Sequence, residues 1–175
     1  DRVLERLNWS QPFDHGTGTI RRGRGFGIAI KAVTTPTTSV AIVNIFADGS
    51  VALYHGTIDM GQGSDTGMAQ IVGEVLNVPA ESVRIVQRDT DVTPYDMGTL
   101  GSRSLFHMGH AVRRAAEDAR DKLKALAKEV GEPEGSNIPI SELFQKRYGM
   151  RAGNVIGSGI YKPDYTPPAP GTGQS

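Results

Sequence analysis

A glutamine flanked by two glycines, placed where a predicted strand meets a predicted helix, constrains the fold most strongly. The strand is predicted at Val51–Thr57 and the helix at Ser64–Leu76, where apolar residues recur at three- and four-residue intervals. Gly61 and Gly63 carry no Cβ, so the backbone there can approach a ligand closely. The amides and positive dipole of a first helical turn attract anions, and Gln62 adds a donor and an acceptor. The pattern indicates either an anion-binding turn or a plain connection.

A second turn, rich in glycine and hydroxyl groups, leads into the longest predicted helix. Thr99, Gly101, Ser102 and Ser104 lie at the end of a polar loop, and the helix is predicted at Ser104–Val130. Ser102 or Ser104 can cap this helix, which typically contributes about 1 kcal/mol. The same hydroxyl and amide groups also suit a phosphate. The residues alone leave both interpretations open.

Taken together, the two turns resemble the molybdenum-cofactor-binding subunit of the xanthine dehydrogenase and aldehyde oxidase family of molybdenum hydroxylases. The similarity covers roughly residues 24–126. It includes the Gly61-Gln62-Gly63 turn, Ala69-Gln70-Ile71, the Val78-Pro79 step, Asp89-Thr90 and the Gly-Thr-x-Gly-Ser-Arg-Ser stretch at 98–104. Each piece is common, but their order and spacing are specific.

The resemblance implies which residues contact the cofactor. One turn is formed by Met60, Gly61, Gln62 and Gly63, and the other by Thr99, Gly101, Ser102 and Ser104. The implied cofactor is molybdopterin, or its cytosine dinucleotide, with molybdenum. In this family the pterin dithiolene holds the metal, so no metal ligand is expected from this chain.

The resemblance also implies an activity and partners. The whole protein is expected to hydroxylate a small-molecule substrate, an aldehyde or an aromatic N-heterocycle, with oxygen derived from water. Iron–sulfur centres and FAD are expected on partner domains or subunits, together with the remainder of the molybdopterin subunit. The catalytic glutamate is expected outside this chain, and Glu132, in a charged loop after the long helix, is not assigned that role. The isolated chain is therefore expected to be inactive. The alternative is a non-catalytic anion-binding or assembly module that retains the scaffold.

The pattern of elements predicts an α+β fold, with a mixed sheet, a β-hairpin and crossover helices packed on the sheet, as part of a larger molybdopterin-binding domain. An Asp-Gly pair at 48–49 predicts the hairpin turn. Strands are predicted at Gly23–Val33, Ser39–Phe46, Val51–Thr57, Val83–Gln87, Ile138–Ile140 and Val155–Tyr161. Short helices are predicted at Asp1–Asn8, with Val3, Leu4 and Leu7 inward, and at Ser141–Tyr148, with Ser141 as the cap. In the long helix, Leu105 is expected to face inward, and Arg114, Asp118 and Lys122 are expected on a solvated face.

Two regions of the chain are expected to differ in organisation. Residues 1–161 are predicted to form a partial molybdopterin-binding domain. Residues 162–175 are rich in proline and glycine and have little to bury, so they are predicted to form a tail or a linker to a missing C-terminal part.

Composition removes several classes of function. Nineteen basic and nineteen acidic residues cancel, so nucleic acid and anionic membranes are not expected partners. The chain has no cysteine, which excludes disulfides, cysteine-ligated zinc and an iron–sulfur cluster within these residues. This fits a reducing compartment, for which the cytoplasm is the expectation and the periplasm the alternative. His107 and His110 lie one helical turn apart and could share a metal, but a packing or capping role is the favoured interpretation.

Overall fold

The computed structural model describes residues 2–28, 37–86 and 88–164. The chain divides into two compact units, one within residues 1–31 and the other within residues 32–175. The two glycine-containing turns, at residues 60–63 and 98–104, both lie in the second unit. Two predictions fall partly or wholly outside the described residues: the end of the strand at 29–33 and the tail from residue 165 onward.

The N-terminal unit is organised around one arginine. Helix α1 spans Arg2–Arg6, within the predicted range Asp1–Asn8, but none of its residues is buried, so the expected inward face is wrong. The guanidinium of Arg24 donates to four backbone carbonyls, those of Leu7, Asn8, Trp9 and Gln11, and stacks over the rings of Trp9 and Phe13. Four charge-assisted hydrogen bonds and two cation–π contacts fold this segment back on itself without an apolar core.

The strand predicted at Gly23–Val33 is wrong for the part that the structure describes. Residues 23–28 have no regular structure, and Phe26 and Ile28 are exposed. Within residues 2–28 no other strand lies beside this segment to pair with it. Three glycines in the run also leave little side-chain area to bury, so the apolar pattern alone does not produce a strand.

The second unit contains a four-stranded mixed sheet. Strands β1 (Ser39–Phe46), β2 (Val51–His55), β3 (Val83–Ile85) and β4 (Asn154–Tyr161) lie in the order β3-β2-β1-β4. Strand β1 is antiparallel to both β2 and β4, and β3 is parallel to β2. The predicted hairpin is confirmed, with Gly49 at a φ of 86° in its turn.

Helix α2 (Ser64–Leu76) connects β2 to the parallel strand β3, as a crossover must. Helix α3 spans Gly109–Glu129 and continues from a π-helical turn at Ser104–Met108, so the predicted long helix is confirmed with a wider first turn. Helix α4 spans Ile140–Tyr148. The predicted strand at Ile138–Ile140 and the Ser141 cap are wrong, because Pro139 fixes its own φ at −57° and the helix begins directly after it.

The main core lies where α2 and α3 pack on the sheet. Fully buried residues come from each layer: Ala41, Val43 and Ile45 of β1, Leu53 of β2, Met68 and Val72 of α2, and Val112 and Ala115 of α3. Helix α3 and β4 approach most closely, because alanines at 111, 115 and 119 face the strand glycines Gly157 and Gly159. A Cβ added at either glycine would lie within 3.0 Å of backbone atoms of α3.

Three charged side chains of α3 bind the outer edge of β4. Arg114 Nη1 donates to the Ile160 carbonyl at 2.6 Å, Lys122 Nζ donates to the Ile156 carbonyl at 2.8 Å, and the Ser158 amide donates to Asp118 Oδ2 at 2.8 Å. The expectation that this face is simply solvated is therefore wrong for these three residues. The three residues are four apart along α3, and the strand residues that they bind are two apart along β4. They therefore satisfy backbone groups that a neighbouring strand would otherwise pair.

None of the helices within residues 2–28, 37–86 and 88–164 combines the length and the apolar character that crossing a bilayer requires.

Candidate functional site

The first turn, Ile58–Ser64, begins α2 and is shaped by an aspartate. Asp59 accepts the Gly61 amide on Oδ1 at 2.8 Å and the Asp65 amide on Oδ2 at 3.0 Å. Gly61 and Gly63 have φ values of 98° and 78°, in the left-handed region that favours glycine. Among the described residues, the backbone amides of Gly63 and Ser64 have no hydrogen-bond acceptor. The start of α2 therefore keeps free donors, as the sequence predicts.

The side chain of Gln62 is used within its own turn. Its Oε1 accepts the Met60 amide at 2.5 Å, and its Nε2 donates to the Ile58 carbonyl and to Ser64 Oγ, both at 3.1 Å. In this arrangement Gln62 sets the shape of the turn, and the free amides beside it remain for a ligand.

The second turn, Gly98–Ser104, enters the π-helical turn through unusual backbone geometry. Gly98, Gly101 and Ser102 have φ values of 108°, 57° and 61°. A left-handed serine is uncommon, because most side chains are strained there. The Ser102 and Ser104 hydroxyls have no hydrogen-bond partner among the described residues. They stay available for a polar ligand, and neither caps the helix by a side-chain hydrogen bond.

A threonine joins the two turns directly. Thr99 Oγ1 accepts the Ile58 amide at 2.8 Å and donates to the Ile58 carbonyl at 2.7 Å. The turns are therefore neighbours, although 41 residues separate these two positions.

The two turns line one cleft of about 410 Å³. Its walls include seven of the eight residues named from the sequence; Gly61 is not among them. They are Met60, Gln62, Gly63, Thr99, Gly101, Ser102 and Ser104, together with Ser64, Gly67, Leu100 and Leu105.

Leu105, expected to face inward, is 58% exposed, because the wider π-helical turn directs it to the cleft. No wall residue carries a formal charge, so the polar donors are neutral amides and hydroxyls.

A buried ion pair that the sequence analysis did not identify lies close to the second turn. The side chains of Asp96 and Arg103 are fully buried, and Arg103 Nη1 donates to both carboxylate oxygens at 2.7 and 2.8 Å. Ser39 Oγ and Thr57 Oγ1 also donate to Asp96, at 2.7 and 3.1 Å, and Arg103 Nη2 donates to Ser39 Oγ. We call these four residues the Asp96 network. An aspartate and an arginine in a polar loop are usually solvated, so no local sequence pattern indicates their burial.

A second buried group, His55, lies at the end of β2. Arg88 forms an ion pair with Asp65 and donates through Nε to the Thr57 carbonyl at 2.8 Å. His55 Nε2 lies 3.8 Å from Asp65 and 3.5 Å from Arg88. Burial, reinforced by the positive charge of Arg88, lowers the pKa of His55 to about 4.

The lowered pKa of His55 predicts a specific dependence of stability on pH. A histidine that stays neutral in the folded state but takes up a proton near pH 6.5 when unfolded makes the unfolded state bind more protons between about pH 4 and 6.5. The free energy of unfolding should therefore fall by about 2 kcal/mol between pH 7.5 and pH 5. Urea denaturation at both pH values measures this, and His55→Gln should reduce the difference. An equal pH dependence in the variant would contradict the assignment.

The other two histidines of interest are packed against aromatic rings. His107 is fully buried, and burial lowers its pKa below the ordinary histidine value. His110 stacks on Tyr161 with ring centroids 4.5 Å apart. Of the packing and capping roles favoured from the sequence, packing accounts for both. Across the described ranges, no group of three or more histidine, aspartate or glutamate side chains is placed to bind a metal.

Comparison with known proteins gives a consistent set of similarities. A family model described as a molybdopterin cofactor-binding domain matches residues 2–175. The probable hypoxanthine oxidase of Escherichia coli K12 is 28% identical over 183 residues, covering 94% of this chain and 19% of that protein. The xanthine dehydrogenase molybdenum-binding subunit of Escherichia coli O157:H7 is 36% identical over 117 residues, covering 63% of this chain and 15% of that subunit.

Solved structures agree. Reconstituted CO dehydrogenase from Oligotropha carboxidovorans matches with a TM-score of 0.60 and 29% identity, covering 71% of this chain and 18% of that chain. The chain thus spans about a fifth, or less, of the length of the proteins that it matches.

Proposed function

Because the chain belongs to the molybdopterin cofactor-binding domain family, we propose that the cleft between its two turns binds part of a molybdenum cofactor. The observation that carries the proposal is that residues of two turns, which are far apart in the sequence, line the same cleft. A turn that merely connects a strand to a helix has no need of a second donor-rich turn opposite it.

The donors in the cleft fit the anionic end of such a cofactor. The free amides of Gly63 and Ser64 lie at the start of α2, where the helix dipole favours negative charge. Ser102 and Ser104 add two hydroxyls from the opposite turn, each able to donate one hydrogen bond to a phosphate oxygen. We assign phosphate binding to these four residues.

The apolar walls fit the organic part of the cofactor. Met60, Leu100 and Leu105 line the cleft, and Met60 is 71% exposed. Flat, partly apolar rings pack on such side chains, and methionine adapts to irregular ligand shapes. Gln62 and Thr99 have a different role, because their polar atoms fix the first turn and its distance from the second.

The whole protein is proposed to be a molybdenum hydroxylase that acts on an aldehyde or an aromatic N-heterocycle. The bound molybdenum centre would supply the oxygen-transfer and two-electron chemistry. Residues of this chain would bind and orient the cofactor, while a glutamate elsewhere serves as the base. Iron–sulfur and FAD domains or subunits, and the rest of the molybdopterin subunit, are the proposed partners. Residues 1–161 would form part of the molybdopterin-binding domain, and residues 162–175 a tail or linker.

Metal and pterin analysis tests this proposal against the alternative of a non-catalytic anion-binding module. The native subunit that carries this chain should contain close to one molybdenum per polypeptide, measured by mass spectrometry, and should release a fluorescent pterin on oxidation. The isolated chain supplies only part of the contacts, so its affinity should be far lower. A native subunit with neither molybdenum nor pterin, after growth with molybdate, would support the alternative.

A further inference from the structure

We propose that Asp96 and Arg103 are positioning residues, which fix the separation of the two turns and so set the width of the cleft. The inference rests on the proposed function for its purpose, but its geometry is independent of any ligand. The Asp96 network makes no contact with the cleft itself, since none of its four members is a wall residue. The network can act on the cleft through the backbone of the second turn, because Arg103 lies between the wall residues Ser102 and Ser104.

One carboxylate joins three separate parts of the chain. Asp96 accepts hydrogen bonds from Ser39 at the start of β1, from Thr57 just after β2, and from Arg103 at the end of the second turn. It also accepts the Gly98 amide at 3.1 Å, while Arg103 donates to the Gly98 carbonyl at 3.0 Å. Both ends of the second turn are thereby attached to the sheet.

The connection continues from the sheet to the first turn. Thr57 precedes Ile58, whose amide and carbonyl are both bonded to Thr99. The Ile58 carbonyl also accepts Gln62 Nε2, which orders the turn at the start of α2. Hydrogen bonds therefore connect Arg103 to Asp96, Asp96 to Thr57 and Ile58 to Gln62, and the peptide bond between Thr57 and Ile58 completes the series.

Close packing at Gly56 also fixes the separation of the two turns. A Cβ on Gly56 would lie 2.8 Å from Asp96 Cβ and 3.1 Å from the Pro94 carbonyl oxygen. The loop that carries Asp96 thus packs directly on the backbone at the end of β2. Ser39 and Asp96 also form an isolated β-bridge, so backbone pairing and the side-chain hydrogen bond between them connect the same two residues.

Hydrogen exchange tests the inference without a cofactor. The Ile58 amide is bonded to Thr99 and not to the Asp96 network, so its exchange rate reports how far the network controls the turns. Thr57→Val removes one hydrogen bond to Asp96 at nearly constant shape, and Asp96→Asn removes the charge. Each should speed exchange at Ile58 at least tenfold, while amides in the middle of β1 and β2 stay within twofold. Thr93→Val, which removes a bond to the Asp89 carbonyl in the preceding part of the loop, is the matched control and should change neither.

Two results would overturn the inference: unchanged exchange at Ile58, or acceleration that is equal at Ile58 and throughout β1 and β2, which would make the network merely structural. If Asp96→Asn fails to fold, Thr57→Val alone decides between these outcomes. Cofactor content of the native subunit separates this inference from the proposed function. Faster exchange at Ile58 together with lower molybdenum content supports both. Faster exchange with full molybdenum content leaves the proposed function intact and contradicts the inference that the network sets the width of the cleft for the cofactor.

Discussion

Replacing Gly157 with valine should lower the free energy of unfolding by about 3 kcal/mol or more, a large fraction of the roughly 5–15 kcal/mol that is typical of a native protein. The new Cβ would lie within 3.0 Å of the Ala115 carbonyl oxygen and of the Ala119 amide nitrogen. These are backbone atoms in the middle of α3, so no side-chain rotation can relieve the overlap. The helix must move away from β4, which separates the two elements that pack most closely in the second unit.

The matched control is Ser158→Val, one residue further along β4. The Ser158 side chain is exposed, so the same bulk is added outside the helix contact. A β-branched residue on an exposed strand face is usually neutral or mildly stabilising. Urea denaturation followed by circular dichroism gives both free energies of unfolding. If Gly157→Val lies within about 0.5 kcal/mol of the unchanged protein, the described packing of α3 on β4 is wrong.

The elements that the sequence predicted well are those with a strong local signal. The hairpin at Asp48-Gly49, the helix at Ser64–Leu76 and the strand that became β4 are confirmed, because turn chemistry and periodicity are local properties. The strand at Gly23–Val33 carried an equally apolar pattern. It is wrong over residues 23–28, since a strand depends on a partner that periodicity cannot supply.

The site was predictable as a set of residue types but not as a set of interactions. Glycine and serine at two helix starts indicated free amides and hydroxyls, and the structure brings those turns together. What the sequence could not show is how each polar side chain is used. The side chains of Gln62 and Thr99 can form hydrogen bonds as the serines can. In the structure, however, both bind backbone groups of the first turn, those of Met60 and Ile58.

The buried ion pair of Asp96 and Arg103 also could not be predicted from the local sequence. Arg103 lies within the Gly-Ser-Arg-Ser stretch, but its burial depends on Ser39, which is 64 residues away. The α3 residues Arg114, Asp118 and Lys122 are similar, because their partners are backbone atoms of a strand 34 to 46 residues further on. Long-range partners of charged side chains leave no local pattern to read.

A negative charge placed at Ser102 should sharply reduce cofactor binding. The side chain is exposed at the cleft, and its backbone has a φ of 61°, a conformation that aspartate and asparagine tolerate better than most residues. Ser102→Asp should therefore fold, but its carboxylate would repel a bound phosphate. At about 4 Å and an effective dielectric constant of about 20, two such charges repel by about 4 kcal/mol before screening by salt. A tenfold loss needs only about 1.4 kcal/mol.

Ser102→Asn is the matched control, because asparagine has nearly the shape of aspartate, suits the same backbone and carries no charge. The molybdenum content of the native subunit, measured for the two variants under identical growth and purification, tests the cofactor cleft most directly. We expect Ser102→Asn to keep at least half of the molybdenum of the unchanged subunit and Ser102→Asp to keep less than a tenth, with matching circular dichroism spectra. Equal molybdenum content in the two variants would contradict the proposal that this cleft binds the anionic part of the cofactor.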